Sequence, residues 1–304
     1  MSDMFKRGLV VLALGSLGLA HTGCSIKMMA INSLGDALAE GSSGFGRDDD
    51  PELVRDAIPF ALKTIESLID SSPKHKGLLL AACSGFTQYS YAFIQQEADF
   101  TEAKDLDRAT EMRKRAKKLY LRARDYGIRA FEVDFPGFGD QLRKNTDATL
   151  AKLEKKHVAL LYYTGASWAA AFAVDVTDSS LSVEQTLFEK MLRRALALDE
   201  TYELGSLHDF FISWEAGHAS AGGSMAKARE HFERARQLAD GKRVSLYVSL
   251  AESVSVSEQK KDEFEKLLNE ALAVDIMKAP DQKLANILAQ RRAKWLLSRV
   301  DELF

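Results

Sequence analysis

The chain has 304 residues, 46% of them hydrophobic and 28% charged, with 5 Pro and 19 Gly, which excludes a disordered chain and allows a sizeable core. Its 41 Lys and Arg against 44 Asp and Glu leave a net charge of −3, without the basic excess that phosphate neutralisation demands of a nucleic-acid binder. The two cysteines, Cys24 and Cys83, make no disulfide framework, and no Cys/His cluster has the spacing of a structural zinc site.

At the N-terminus, Lys6 and Arg7 precede an uncharged apolar run from Gly8 to Ala20. That run is shorter than the roughly 20 residues a helix needs to cross a bilayer, so residues 1–23 read as an export signal. It ends in His21-Thr22-Gly23-Cys24, which is similar to a bacterial lipoprotein cleavage box, with His21 where Leu, Val or Ile is usual. The resemblance implies that Cys24 becomes an acylated N-terminus carrying palmitate-type chains. Two such chains anchor stably, each buried CH₂ adding about 0.8 kcal/mol. Ser25 after the cysteine implies the periplasmic leaflet of the outer membrane. The competing reading is ordinary cleavage, with Cys24 an incidental thiol.

Residues 24–50 read as a tether: a short amphipathic stretch (Ile26, Met29, Leu34, Leu38) followed by the Gly/Ser tract 41–46. Asp50-Pro51 is a helix start, with Asp at the N-cap, Pro at the first helical position, and Asp48 and Asp49 favouring the positive end of the helix dipole. From there apolar residues recur every three or four positions. Stripes predict helices over 51–71, about 75–98, 101–133, 156–174, 182–198, 204–217, 224–239, 243–255, 259–274 and 281–303, with a break at Phe135-Pro136-Gly137-Phe138-Gly139. Nothing alternates with period two. The expected class is all-α, an α-solenoid or irregular helical array in one domain, 51–304.

Four windows carry the small or apolar offsets 0, 4 and 7 of a tetratricopeptide second helix: Ala116-Tyr120-Ala123, Phe188-Leu192-Ala195, Ala228-Phe232-Ala235 and Phe264-Leu268-Ala271. Their last members lie 72, 40 and 36 residues apart, near multiples of one helix pair. A first-helix match stands at Leu161, Thr164, Gly165 and Trp168. The same offsets describe any amphipathic helix, and the terminal Pro of the consensus is missing. Degenerate tetratricopeptide-like repeats are the expectation.

No nucleophile elbow, H-E-x-x-H, Walker loop or C-x-x-C is present, so no enzyme is expected, and no cofactor or metal is implied. The six histidines never fall at i, i+3 or i, i+4, and His208 and His231 read as packing or surface residues. Cys83, in the run Leu78 to Cys83, reads as a small buried hydrophobe. The densest basic feature holds Arg113, Arg115, Lys117 and Lys118, either a docking face for an acidic partner or anionic head groups, or a solvated helix face among nearby acids. Aromatic residues one turn apart, Tyr89 with Phe93 and Trp168 with Phe172, together with Tyr162, Phe211 and Trp214, are core or the lining of an apolar ligand cavity.

The runs Asp48 to Pro59, Leu78 to Phe93, Leu119 to Phe131 and Leu284 to Leu297 together resemble the TatT family, the tetratricopeptide-like T components associated with tripartite ATP-independent periplasmic (TRAP) transporters. The resemblance covers the mature chain. It implies a periplasmic helical-array lipoprotein that pairs with the transporter's solute-binding P component, allows a homo-oligomer, and suggests an apolar cavity able to receive a ligand. The expected function is thus a non-enzymatic transport accessory that binds or relays an organic or apolar solute. The alternative is a scaffold lipoprotein for envelope assembly, which uses its repeats for protein–protein binding.

Overall fold

The computed structural model describes residues 33, 43–218 and 223–304. The export signal at 1–23, Cys24, and the tether up to residue 42 apart from Ser33 lie outside the described residues. Among the described residues there is no strand, and the class is all-α.

The described part opens with a helical turn, α1 (Ser43–Gly46), then α2 (Pro51–Ser71). As the sequence indicates, the Asp50 carboxylate caps α2, accepting from the Glu52 and Leu53 amides at 3.1 and 3.0 Å. Next come α3 (Lys76–Ser90), a π-helical turn (Tyr91–Gln95) and α4 (Gln96–Glu102), one continuous rod where a single helix to residue 98 was expected. The long α5 (Leu106–Asp134) ends at Phe135. Gly137 takes the left-handed conformation there (φ 78°), and Glu132 accepts from the Gly137 and Gly139 amides. Two short helices follow the turn, α6 (Phe138–Lys144) and α7 (Thr146–Ala151), too brief to leave a stripe in the sequence.

Then come α8 (Val158–Ala173), α9 (Ser179–Ser182), α10 (Gln185–Leu198), α11 (Ser206–Gly217), α12 (Met225–Ala239) and α13 (Ser245–Leu250), which runs into a second π-helical turn (Ala251–Ser255). The chain finishes with α14 (Lys261–Ala273), α15 (Lys283–Leu297) and α16 (Val300–Leu303).

Sequential helices pack pairwise: α3 on α5, α5 on α8, α8 on α10, α11 on α12, α14 on α15. Every residue of the four offset windows is buried, so those stripes are core faces. Two glycines let helices approach closely. A Cβ on Gly127 would lie 2.1 Å from Thr164 Oγ1 and 2.9 Å from Thr164 Cβ, and one on Gly165 would lie 2.7 Å from Leu192 Cγ. Cys83 is fully buried beside Thr164, and burial pushes its thiol up to about 12, as fits an inert packing residue.

Two apolar cores result. One runs from Val54 to Trp214 and takes in Leu284 and Leu288, the other runs from Ile212 to Leu296, and α11 and α15 feed both. Helix α15 also returns to the start of the domain, touching α1 and α2. Arg292 of α15 lies between Asp99 of α4 (3.0 Å) and Glu252 of the second π turn. Arg291 pairs with Glu97 at 2.7 Å, and Trp295 packs on Phe100 with centroids 5.1 Å apart. Residues 43–50 of the expected tether join this seam, with Arg47 bound to Asp281 and Asp49 to Lys283. The array closes on itself.

Two substitutions test this packing by urea unfolding. Gly127→Ala gains helix propensity but drives a methyl into Thr164, and the clash wins by about 1–2 kcal/mol. Arg292→Ala leaves Glu252 without its cation and Asp99 with Arg113 alone, and lowers stability by about 1–2 kcal/mol. It also speeds amide exchange in α4 and α15 more than in α8.

Candidate functional site

An open groove of about 580 Å³ lies between α2, the α3–α4 rod and α5. Its floor is apolar: Tyr89 and Phe93, one turn apart with ring centroids 5.8 Å from each other, with Ile94 and Met112. The π-helical turn carries Phe93 and Ile94; its extra residue changes the face that α4 presents relative to α3. Arg55 and Asp56 of α2 form one wall, and Arg108 and Arg115 of α5 the other.

The charges around the groove are unequally matched. Arg55 holds Glu52 and Asp56, and Glu97 is taken by Arg291. Arg108 and Arg115 are exposed and have no ion pair among the described residues. Beside the groove, Leu53 and Phe60 of α2 stand 60% and 80% exposed.

The basic run divides accordingly. Arg113 is bound by Asp99 and Glu102 at 2.9 Å, and Lys117 by Asp175 and Asp178 at 2.7 and 2.6 Å. The Lys117 ammonium holds the Asp178 carboxyl well below the usual carboxylate range. Arg115 and Lys118 remain exposed without ion pairs among the described residues.

Two further tyrosines lie among charged side chains. Burial raises the Tyr91 phenol above its ordinary value, although the residue as a whole is 48% exposed. Charges from four other elements act on it: Arg292, Glu252, Asp209 and Asp99. Tyr162, whose phenol burial also raises, packs on Tyr163 and Tyr202 at 5.0 and 5.5 Å. Nearby, Asp209 accepts from Ser249 at 2.7 Å and from Ser245, and pairs with Arg243 at 3.2 Å.

The other aromatic candidates do not converge on one cavity. Trp168, Phe172 and Phe211 are core residues, and Phe188, expected as a helix-face residue and not as part of a ligand site, sits 6.2 Å from both Trp168 and Phe172 and 5.3 Å from Trp214. Trp214 lines a separate cavity of about 330 Å³ with its stacking partner His218.

His208 and His231, on different helices, meet with their Nδ1 atoms 2.8 Å apart. Linear spacing could not show this pairing, since each residue is alone on its own helix. One ring must donate and the other accept, which a pair of imidazolium ions cannot do. Burial first, and then the His208 charge, pushes His231 down to about 4, and burial lowers His208 against the opposing pull of Glu200. No group of three metal-ligating side chains occurs among the described residues.

Residues 47–304 match the sequence model of a family described as TRAP transporter T-component. The chain is also 31% identical over 303 residues to an uncharacterized protein of Treponema pallidum (strain Nichols), with 93% of each chain covered.

The histidine pair gives a pH dependence with a definite sign. Both folded values lie below the unfolded value near 6.5, so the unfolded state binds more protons as pH falls, and stability is full above about 6.5 and declines toward 4. The loss should be of order 1–2 kcal/mol after solvent screening. Urea titrations at pH 7.5 and 4.5 should show it, and His231→Phe should flatten the slope.

Proposed function

The chain belongs to the TRAP transporter T-component family, and we propose that it serves such a transporter by docking the solute-binding P component at the α2–α5 groove. The family's role is that of an accessory transport component in the cell envelope, not a known enzyme. Among the described residues no helix is long and apolar enough to cross a membrane. In this reading attachment comes instead from acylation at Cys24, with residues 24–42 as the tether, on the periplasmic leaflet of the outer membrane.

The observation that carries the docking reading is the pairing of an apolar floor with two uncompensated arginines. Interfaces are enriched in aromatic residues, Met and Arg at their centre, and Tyr89, Phe93, Met112 and Arg115 supply that composition. Phe60 and Leu53 extend the apolar surface beyond the groove. The partner surface that fits is acidic with apolar anchors. Arg115 and Lys118 supply the docking role expected of the basic run, whereas Arg113 and Lys117 brace α5 against its neighbours.

For the solute half of the reading, the apolar floor of the groove, Tyr89 and Phe93 with Ile94 and Met112, offers contact to an organic or apolar solute.

A photo-crosslinking residue at position 60, in native membranes, should capture the P component as the main adduct. The double variant Arg108→Glu, Arg115→Glu should weaken binding of purified P component by about tenfold or more and reduce its salt dependence. Unchanged affinity would remove the groove from the interface. Adducts confined to outer-membrane assembly proteins would favour the scaffold reading instead.

A further inference from the structure

Outside the described residues, the stretch Ser25 to Glu40 carries a sequence pattern that matches the α2–α5 groove. Ile26, Ala30, Leu34 and Ala37 recur at helical spacing, and Asp36 and Glu40 stand one helical turn apart beside them, against a single cation, Lys27. Sixteen residues are few for an isolated helix in water, and Gly35 weakens the tendency further. An apolar stripe of this length is stabilised chiefly by what it packs against.

The folded domain offers such a surface within reach. Arg47 is bound to Asp281 and Asp49 to Lys283, which fixes the point where the chain enters the domain at the start of α15. Two helical turns further along α15, about 12 Å away, Arg291 holds Glu97 of the groove wall and lies 3.7 Å from Glu52 of α2. Residues 25–40 would measure about 24 Å as a helix, enough to reach the groove from that point and lie along it. The charges also correspond. Arg108 and Arg115 of the groove have no ion pair among the described residues, while Lys27 against Asp36 and Glu40 leaves the segment with a net charge of −1.

We infer that residues 25–40 occupy the α2–α5 groove when no partner is bound, with their apolar stripe on Tyr89, Phe93 and Met112 and with Asp36 and Glu40 toward Arg108 and Arg115. A covalently attached segment competes at a high effective concentration, about millimolar for a short flexible linker, and needs no strong contacts to do so. A second copy or a lipid surface would have to meet the groove without that advantage. The segment covers the aromatic floor and yields to a partner that binds more tightly. This competition rests on the docking role proposed above; the occupancy does not.

Photo-crosslinking tests the inference in the purified mature chain, in detergent and without the P component. A benzophenone residue at position 60, beside the groove, should give chiefly an intramolecular adduct that mass spectrometry maps to residues 25–40. The same residue at position 277 is the control: Met277 is 64% exposed and close in the chain to Asp281, so a tether with no seat would reach it at least as often. The yield with residues 25–40 should be about threefold or more higher at position 60 than at 277, and Asp36→Lys with Glu40→Lys should lower it to the level at 277. Equal yields at the two positions, adducts at 60 mainly with a second copy or with detergent, or a yield unchanged by the charge reversal would each overturn the assignment. Saturating P component should then suppress the intramolecular adduct at 60. An adduct that persists in its presence would uphold the occupancy, overturn the competition and count against the docking reading.

Discussion

The structure depends on a charged seam between the two ends of the domain. Arg292, on the last long helix, has only 11% of its side chain exposed and is held by Asp99 from the N-terminal half and Glu252 from the C-terminal half. A guanidinium in that position is tolerable only because its planar donor fork meets two carboxylates at once. An array of helix pairs can end open, each pair touching only its neighbours. Here the seam joins the last long helix to the N-terminal half of the all-α domain, and the two apolar cores meet on α11 and α15.

The candidate sites inherit their properties from that closure. Because Arg291 reaches across to take Glu97, the groove loses one of its balancing acids, and Arg108 and Arg115 are left uncompensated over an aromatic floor. Tyr91 likewise feels charges from α4, α11, α15 and the second π turn. Loss of the seam would therefore alter the charge balance of the groove.

The sequence went far on helices and less far on sites. Asp50-Pro51 and the repeated apolar offsets are local signals, and the α2 cap and the buried stripes follow them closely. Aromatic spacing was a weaker guide. Tyr89 and Phe93 do line a groove, but Trp168 and Phe172, with the same spacing, are packed around Phe188. A turn-apart pair states which face of a helix two rings share, and says nothing of whether another helix covers that face. In the same way His208 and His231 are 23 residues apart and meet only through the packing of α11 on α12.

What the amino-acid order determined by itself was therefore the long helices, their buried faces and their class, because period, capping and turn chemistry act within a few residues. The tertiary structure decided which charges stay unpaired, which rings border open space, and that the array closes. Those properties belong to partners distant in the chain, as in Arg292 and Asp99, 193 residues apart, and no local pattern encodes which distant carboxylate an arginine will meet.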